Sequence, residues 1–368
     1  MKIAIFHNLK KGGALNFVKS ISGNLKSKNN KIDIFSFENN IPKNKYNHLY
    51  LYKLKKTKNA ISQMFQIFVE LKNINKQIAK KIEKNKYDLV LVFPCLLTQS
   101  PFLLKYLNHT NFIYVFTEPK REFYEKTSYD FSIKKTISDT IRKTIKIIDK
   151  INCSYAKNIV SISEYSSNQL LKIYKKRAFT IYPGIKFTHP KKIYLKNNQK
   201  ILSVGALQKI KGHDFSIKQI AKKRYKIKIL GRKTPDYKNI IKIIKKYKAK
   251  DLVSIIHTEK ENKKNTLYKK HSLFLANQQH EPFGLTTLEA VNNNCYVIGK
   301  NEGGTPEIIR HGMNGFLYPN SIKIAQKALD KKYNQKNINI SKNCKIDWDK
   351  TTEHLLYLYH YLKNEPTE

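Results

Sequence analysis

Short apolar runs rich in β-branched residues alternate with longer amphipathic stretches along most of this chain. Nine such runs predict β-strands, and helical patterns such as residues 60–83 and 212–223 lie between them. Strands and helices in this order predict parallel sheets covered by helices. The nine runs are KIAIF, KIDIFSF, DLVLVF, NFIYVF, ILSVG, KIKILG, VSIIH, SLFLAN and CYVIG.

The chain is long enough for more than one such sheet. Nine predicted strands over 368 residues suit two doubly wound domains better than one. The pattern breaks at Pro183 and Gly184, and Pro190 follows with a pair of lysines. The predicted divisions are an N-terminal domain over 1–184, a C-terminal domain over 185–345, and a terminal helix over 346–368 that packs back on the N-terminal domain.

The formal charge of +44 suggests an anionic partner at first sight. Only six of the 71 basic residues are arginines, however, and nucleic-acid readers depend on arginine for bidentate contacts. Lysine, asparagine, isoleucine and tyrosine are all abundant, as an A/T-rich coding sequence would produce. This background bias is the favoured interpretation, attraction to anionic lipid is the alternative, and no nucleic-acid partner is expected.

The cysteines and the apolar runs indicate the cellular compartment of the protein. The four cysteines are scattered without a C-x-x-C pair, so neither zinc nor a disulfide framework is expected. The apolar run before His7 has four residues, which is shorter than the apolar run of a signal peptide. LVLVFPCLL has about half the length of a membrane-spanning helix. We expect a cytoplasmic protein, either free or peripheral on the inner face of the cell membrane.

The segment EPFGLTTLEA places two acids eight positions apart, Glu281 and Glu289, in a chain that has few acids. It follows the predicted strand SLFLAN, and open α/β sheets bind ligands at the carboxyl ends of their strands. Thr286 or Thr287 is expected to cap the next helix, whose first amides would bind phosphate. Carboxylates accept hydrogen bonds from sugar hydroxyls, so the pattern indicates a nucleotide-sugar site. Two ordinary solvated glutamates would give the same spacing.

Residues 280–319 resemble the signature of the retaining family 4 glycosyltransferases. The two glutamates with seven residues between them, GGTPEII and NGFLYP match in order. The resemblance implies an α/β chain with the GT-B fold, in which two Rossmann-like doubly wound domains face each other across a cleft. It spans essentially the whole chain through HNLKKGGA, VSISEYSSNQL, IYPGI, SVGALQKIKGHDFSI and IDWDKTTEHLLYLY.

The resemblance also implies roles for individual residues. Glu281 would lie near the donor sugar hydroxyls, Glu289 would hold the ribose, and Lys211 would neutralise the diphosphate as it leaves. The last role makes physical sense on its own, because a cation aimed at developing charge stabilises a transition state. The other residues expected at the donor are Gly205, Lys209, Arg232, Phe283, Gly284, Leu285 and Thr286, with Gly12 and Gly13 of the first glycine-rich loop.

Two positions depart from the family pattern. Ala206 stands where many members have an arginine that contacts the diphosphate, and Lys209 or Arg232 is the candidate substitute. Thr117 stands where many members have a histidine that approaches the sugar. Glu118 and Arg121 remain candidates for the acceptor or sugar side, and a structural ion pair between them is the alternative.

The expected function is retaining transfer of a sugar from a UDP- or GDP-linked donor to a saccharide or lipid-linked saccharide. Bacterial surface polysaccharide or lipopolysaccharide synthesis is the expected pathway. No metal or further cofactor is expected, since no metal-ligand spacing and no G-x-G-x-x-G motif occur. The rival interpretations are a non-catalytic glycosyltransferase-like scaffold, a GT-B nucleotide-sugar epimerase and a nucleic-acid-binding module.

Two basic amphipathic stretches, 61–86 and 133–151, leave a second question open. In the later stretch, isoleucines recur at helical spacing from Ile133 to Ile148. Such helices either pack on a sheet with a solvated rim of lysines or lie on an anionic bilayer. Packing on the sheet is the favoured interpretation.

Overall fold

The computed structural model describes residues 1–124, 135–186, 200–258, 261–333 and 346–364, with only the backbone at 135–140 and 261–262. The chain forms two compact units, Met1–Gly184 with Trp348–Glu368 and Ile185–Asp347. They are the N-terminal and C-terminal domains below. Pro190 of the predicted boundary lies outside the described residues.

The N-terminal domain contains one parallel sheet built from apolar, largely β-branched segments. Its central strands bury nearly all of their side chains, as expected where helices cover both faces. The strands are β1 (Lys2–Asn8), β2 (Lys31–Ser36), β3 (His48–Leu51), β4 (Leu89–Cys95), β5 (Phe112–Phe116), β6 (Ile159–Ser161) and β7 (Phe179–Thr180). Their order in the sheet is β3-β2-β1-β4-β5-β6-β7.

The C-terminal domain contains a second parallel sheet. Its strands are β8 (Ile201–Val204), β9 (Ile227–Leu230), β10 (Val253–Ile256), β11 (Leu273–Ala276), β12 (Tyr296–Lys300) and β13 (Gly315–Tyr318). Their order is β10-β9-β8-β11-β12-β13. The two doubly wound parallel sheets predicted from the sequence are therefore confirmed.

Helices connect the strands in both domains. Those of the N-terminal domain are α1 (Gly13–Ser27), α2 (Ala60–Phe65), α3 (Lys72–Lys84), α4 (Leu103–Tyr106), α5 (Arg121–Tyr124), α6 (Lys135–Ser154) and α7 (Glu164–Tyr174). Those of the C-terminal domain are α8 (His213–Ala221), α9 (Tyr237–Lys246), α10 (Glu261–Lys270), α11 (Leu285–Asn292), α12 (Thr305–Ile308) and α13 (Ile322–Tyr333). The last helix is α14 (Trp348–Asn364).

All nine predicted strands are present, and the described residues add four that were not predicted. The additional strands are β3, β6, β7 and β13, which have two to four residues each. Runs this short carry too few alternating or branched positions to stand out from loops. They form because neighbouring strands supply the hydrogen-bond partners.

The first amphipathic stretch is helical but not uniform. A π-helical segment, Gln66–Leu71, joins α2 to α3. Ile78 and Ile82 of α3 are fully buried against the sheet, as the packing interpretation predicts. In α6, Ile141 and Ile145 are also buried. Ile133 and the side chain of Ile137 lie outside the described residues.

The terminal helix packs within the N-terminal domain. The rings of Trp348 and Phe17, on α14 and α1, have centroids 5.3 Å apart. The Thr351 hydroxyl donates to the Tyr182 carbonyl over 2.9 Å. Leu355 is buried as well, so α14 contributes to the core of this domain. Among the described residues, no helix is both long and apolar enough to cross a membrane.

Candidate functional site

The C-terminal sheet changes winding direction between β8 and β11. From β8 the chain continues outward to β9 and β10, whereas β11 begins the run through β12 and β13 on the other side. Loops after two such strands diverge and leave a crevice at the carboxyl edge of the sheet. The crevice lies between residues 205–212, which follow β8, and 277–284, which follow β11. These segments contain both predicted catalytic residues, Lys211 and Glu281.

Gly212 permits the two loops to meet. Its φ is +67°, and a Cβ at this position would lie 1.9 Å from the backbone oxygen of Asn277. Next to it, the Gln279 amide donates to the Ile210 carbonyl over 2.9 Å. A residue with a Cβ meets both a disfavoured backbone conformation and a backbone collision here. The Lys-Gly pair of the sequence therefore sets Lys211 directly beside the loop after β11.

Lys211 and Glu281 form an ion pair, with Nζ 2.6 Å from Oε2. The side chains are 26% and 16% exposed, so solvent screens their attraction less than at an open surface. The Glu281 backbone is fixed by a hydrogen bond, because the Gly304 amide donates to its carbonyl over 2.8 Å. A Cβ on Gly303 would lie 2.4 Å from that same carbonyl oxygen. The glycine doublet of GGTPEII thus makes room for Glu281.

The start of α11 adds amide donors to the crevice. Gly284 is its N-cap residue, with φ +107°, and no side chain caps the helix. The prediction that Thr286 or Thr287 caps it is therefore wrong. The helix begins earlier than predicted, and the Thr286 hydroxyl instead accepts a hydrogen bond from Gln278 Nε2 over 3.1 Å. The first amides of a helix have no intrahelical acceptor, so those after Gly284 are suited to an anion.

Glu289 lies one turn into α11 and contacts two side chains of α10. Lys264 Nζ is 2.5 Å from its Oε1, and the Tyr268 hydroxyl donates to its Oε2 over 2.9 Å. Burial and the neighbouring Glu289 charge raise the pKa of Tyr268 well above its usual range, so the phenol keeps its proton. The carboxylate is therefore fixed in orientation. Glu281 and Glu289 each have their own lysine partner.

Lys264 and Tyr268 were not among the predicted site residues. The two residues lie four positions apart on α10, which places them on one face of the helix. A lysine is weak evidence in a chain with 71 basic residues, and a tyrosine before an apolar strand is usual in a core. Only the packing of α10 beside α11 shows that both side chains point to Glu289.

A third acid, Glu302, contacts the loop after β11. It accepts a hydrogen bond from the His280 amide over 2.8 Å and contacts Lys300. Burial alone would raise the pKa of Glu302, but the contacts with Lys300 and His280 outweigh burial and lower it. His280 itself has φ +48°. The described part of the chain has no group of three or more His, Cys, Asp or Glu side chains placed to hold a metal ion.

The remaining predicted donor residues of this domain lie at the carboxyl ends of β8 and β9. A Cβ on Gly231 would lie 1.8 Å from the Gly205 oxygen, so the two backbones are in close contact. The Leu207 amide donates to the Arg232 carbonyl over 3.0 Å. The Arg232 and Lys209 side chains are exposed at this edge. Both candidate substitutes for the arginine missing at Ala206 thus lie at this edge of the sheet, and their contact with a donor stays a prediction.

Gly12 and Gly13 begin α1 at the carboxyl edge of the N-terminal sheet. Gly12 has an extended backbone with φ 169°, so it does not make a turn that requires glycine. Among the described residues, a Cβ on Gly13 would meet nothing within 4 Å, and one on Gly12 would meet only the Lys10 oxygen at 3.9 Å. Protein packing therefore does not explain why these residues lack side chains, and their contact with a donor stays a prediction.

Thr117, Glu118 and Arg121 follow β5. Arg121 Nε is 2.6 Å from Glu118 Oε2, so the structural ion pair considered for these residues is present. Thr117 is buried, and its carbonyl accepts a hydrogen bond from the Ser166 hydroxyl over 2.7 Å. A role for the three residues on the acceptor or sugar side stays a prediction.

Two buried histidines lie near the carboxyl ends of central strands. His7 is inaccessible to solvent in β1, and its ring nitrogens have no hydrogen-bond partner among the described residues. Burial, assisted by the charge of Lys19, lowers the pKa of His7 from 6.5 to about 4. Burial likewise lowers the pKa of His213, which contacts Ser203 Oγ at 3.2 Å, to about 4.

These shifts predict acid sensitivity. The unfolded chain binds protons at His7 and His213 below pH 6.5, whereas the folded chain does so only near pH 4. The two neutral histidines therefore do not reduce the free energy of unfolding above pH 6.5. Between pH 6.5 and 4 the free energy of unfolding falls, and at pH 5 it has fallen by about 2 kcal/mol per histidine. Urea unfolding at pH 7 and pH 5 measures how much free energy of unfolding is lost on acidification. This loss should be smaller in His7→Gln than in the unmodified protein by about 2 kcal/mol. His354→Gln, at an exposed position of α14, should keep the full loss, and an unchanged loss in His7→Gln would contradict the prediction.

The C-terminal domain, which contains the crevice, matches a known protein family. Residues 185–345 match the family model of the glycosyl transferases group 1. The C-terminal domain is a group 1 glycosyltransferase domain. A probable sucrose-phosphate synthase of Thermosipho melanesiensis is 27% identical over 226 residues, which cover 55% of this chain and 53% of that protein. The chain thus spans about half the length of this curated relative.

Solved structures are similar to this chain over nearly its whole length. Sucrose-phosphate synthase from Thermosynechococcus elongatus has a TM-score of 0.74 at 14% identity, covering 98% of this chain and 99% of the other. The Anabaena HepE structure with UDP-glucose has a TM-score of 0.73 at 15% identity, covering 98% and 100%. The predicted GT-B fold, with two parallel-sheet Rossmann-like domains, is confirmed.

Proposed function

We propose that the protein transfers a sugar, with retention of configuration, from a UDP- or GDP-linked donor to a saccharide or lipid-linked saccharide. The observation that carries this proposal is the Lys211–Glu281 ion pair of 2.6 Å in the crevice beside the first turn of α11. It combines a cation, a hydroxyl-binding carboxylate and helix-terminal amides at one place. A nucleotide sugar needs these same groups, since it has a diphosphate and a polyhydroxylated ring.

The donor would bind along α11. The amides that follow Gly284 would contact the diphosphate, and Glu281 would accept hydrogen bonds from the sugar. Glu289, oriented by Tyr268, would accept hydrogen bonds from the ribose hydroxyls. Lys264 reduces the cost of holding this carboxylate charged before a donor arrives. Gly205, Lys209 and Arg232 would lie near the phosphates from the other side of the crevice.

Lys211 would act during bond cleavage. In the structure its charge is compensated by Glu281, and a diphosphate would compete for the same ammonium group. As the bond to the sugar breaks, negative charge grows on the leaving phosphate, where the ammonium stabilises it. We propose that the acceptor attacks from the same face and that this phosphate helps to take the acceptor proton. Glu281 serves as a hydrogen-bond acceptor in this scheme and not as a nucleophile.

The acceptor is proposed to bind the N-terminal domain, with Thr117, Glu118 and Arg121 among its candidate contacts. Assembly of a bacterial surface polysaccharide or lipopolysaccharide at the inner face of the membrane is the proposed context. A UDP-glucose complex is known for the structurally similar HepE protein, which supports a nucleotide-sugar donor here. The departures at Ala206 and Thr117 favour one second candidate, a scaffold that binds the donor without turnover.

Thermal unfolding with a panel of ligands tests this proposal. Without added metal, UDP, GDP, ADP, CMP and UDP- or GDP-linked sugars are compared, since a ligand that binds only the folded state raises Tm. We expect a rise with UDP or GDP and their sugars. Glu289→Gln and Tyr268→Phe should lose most of the shift, whereas Asp251→Asn, which removes an exposed ion pair with Arg224 in the same domain, should keep it.

The outcomes separate the candidates. A shift with one nucleotide sugar, followed by transfer of sugar to an added saccharide, supports the enzyme and identifies the donor base. A shift without transfer or donor hydrolysis supports the scaffold. If no nucleotide or nucleotide sugar shifts Tm, the proposed donor site is wrong.

A further inference from the structure

Four apolar side chains form an exposed stripe on the helix that begins at Ala60. Ile61 is 78% exposed, Met64 38%, Phe65 56% and Val69 40%. Their spacing of three, four and eight residues places them on the same side of the helix. Neighbouring large apolar side chains left in water are unlike the single ones that surfaces normally contain. These four residues are the 61–69 stripe.

The helix already packs on its own domain through other residues. Ile67 is 1% exposed and Leu71 is inaccessible to solvent. Ile67 forms a cluster with Ile141 and Ile145 of α6. The packing face and the 61–69 stripe are therefore different surfaces of one helix. The stripe is held on a fixed support and is available to a partner.

Positive charge surrounds the stripe. Between residues 53 and 76 the chain has six lysines, no arginine and one acid, Glu70. All six lysines are exposed: Lys53, Lys55, Lys56, Lys58, Lys72 and Lys76. The acid is turned inward, because one carboxylate oxygen of Glu70 accepts the Lys55 amide over 3.0 Å and the other is buried.

The lysine-rich loop lies directly against the helix that carries the stripe. Besides the Lys55–Glu70 contact, the Lys58 amide donates to the Ser62 hydroxyl over 3.1 Å. Ser62 and Asn59 form a capping box that fixes the start of the helix. The loop and the helix therefore present apolar and cationic groups together.

We propose that residues 53–76 bind the surface of an anionic lipid bilayer. Such a surface offers an apolar layer for the 61–69 stripe and phosphate groups for the lysines at the same time. A nucleic acid would engage the lysines and leave Ile61 and Phe65 in water. An apolar protein partner would leave the lysines without a counter-charge. The inference does not depend on the proposed transferase activity, because it requires neither a donor nor an acceptor.

The structure also separates the two interpretations of the amphipathic stretch 61–86. Its second part, α3, buries Ile78 and Ile82 in the core and is a sheet-packing helix. Its first part packs through Ile67 and keeps the 61–69 stripe in solvent. Sheet packing and membrane contact thus apply to successive parts of one helical stretch.

Sedimentation with lipid vesicles tests the proposal on the full chain. Vesicles of phosphatidylcholine alone are compared with vesicles that also contain phosphatidylglycerol, without nucleotide. We expect binding to the anionic vesicles that is at least about tenfold stronger than to the neutral ones and that weakens with salt. Ile61→Ser/Phe65→Ser should lower the partition coefficient about tenfold or more, and Lys55→Glu/Lys58→Glu should do the same.

The control has the same kind of substitution elsewhere in the N-terminal domain. Leu171 and Tyr357 are 46% and 74% exposed, so Leu171→Ser/Tyr357→Ser removes a similar amount of exposed apolar surface. This variant should bind the anionic vesicles as the unmodified protein does. Circular dichroism and thermal unfolding test whether each variant is folded. Lys55→Glu/Lys58→Glu changes only exposed side chains.

Four outcomes would overturn the proposal. The first is absence of binding to the anionic vesicles, and the second is binding to neutral vesicles as strong as to anionic ones. The third is a loss of binding in Leu171→Ser/Tyr357→Ser as large as in Ile61→Ser/Phe65→Ser. The fourth is a stable dimer in light scattering that Ile61→Ser/Phe65→Ser dissociates, because a second copy of the chain would then cover the stripe. None of them depends on whether the chain binds a nucleotide sugar.

Discussion

Lys211→Ala is expected to lower kcat about 100- to 1,000-fold, the range seen when one preorganised group facing developing negative charge is removed. The ammonium group lies 2.6 Å from Glu281 Oε2, in the crevice where the proposed leaving diphosphate would form. Interactions that strengthen as charge develops affect kcat more than KM. Steady-state kinetics with the donor identified by thermal unfolding measures both constants.

The control for Lys211→Ala removes a lysine that is near in sequence but far from the crevice. Lys223, exposed between α8 and β9, is suitable, and Lys223→Ala should keep kcat within about twofold. Lys211→Arg retains the charge and should recover part of the rate. A kcat for Lys211→Ala close to that of the unmodified protein would show that the leaving group is stabilised elsewhere. A normal Tm in the variant separates lost chemistry from lost structure.

Gly212→Ala is expected to destabilise the C-terminal domain by about 4 kcal/mol or more, which is in the range of the most damaging single substitutions. The new Cβ would lie 1.9 Å from Asn277 O and 2.5 Å from the Asn277 carbonyl carbon. Both are backbone atoms, so no flexible side chain can move aside. The φ of +67° adds about 1–2 kcal/mol for a residue with a Cβ. Urea unfolding followed by circular dichroism measures the decrease in the free energy of unfolding.

A substitution at Gly312 distinguishes the cost of the backbone collision at Gly212 from the cost of its positive φ. The φ of Gly312 is +84°, but a Cβ there would meet no atom within 4 Å in the described part of the chain. Gly312→Ala should therefore cost only the backbone term, about 1–2 kcal/mol. Equal losses for the two variants would mean that the loops after β8 and β11 separate readily and that their contact is not fixed. Lys211 would then lack the rigid placement that its proposed role requires.

The pattern of the chain was sufficient to predict the two sheets, and it also suggested the main segments of the candidate site. Long buried strands such as β1 and β4 consist of apolar, branched residues, so their preference is visible locally. The glutamate spacing in 281–289 and the glycine after Lys211 are also local. Strands of two or three residues, such as β6 and β7, were missed because their stability comes from neighbours.

One local expectation failed because of a contact between segments distant in sequence. Thr286 and Thr287 are suitable capping residues by type, but α11 begins at Leu285 after a left-handed Gly284. The cap is set by where the loop from β11 enters the helix, and that depends on Gly303 and Gly304 beneath Glu281. Residue type alone does not record this constraint.

By itself, the sequence determined the alternation of strands and helices, the two parallel sheets and the positions of Lys211, Glu281 and Glu289 along the chain. Only the tertiary structure determined which groups meet. Lys211 and Glu281 are paired across 70 positions, and Lys264 joins Glu289 across 25. It also determined that the 61–69 stripe is exposed while Ile78 and Ile82 are buried. The reason is that periodicity gives each helix or strand an apolar face, whereas partners are fixed by packing between segments distant in sequence.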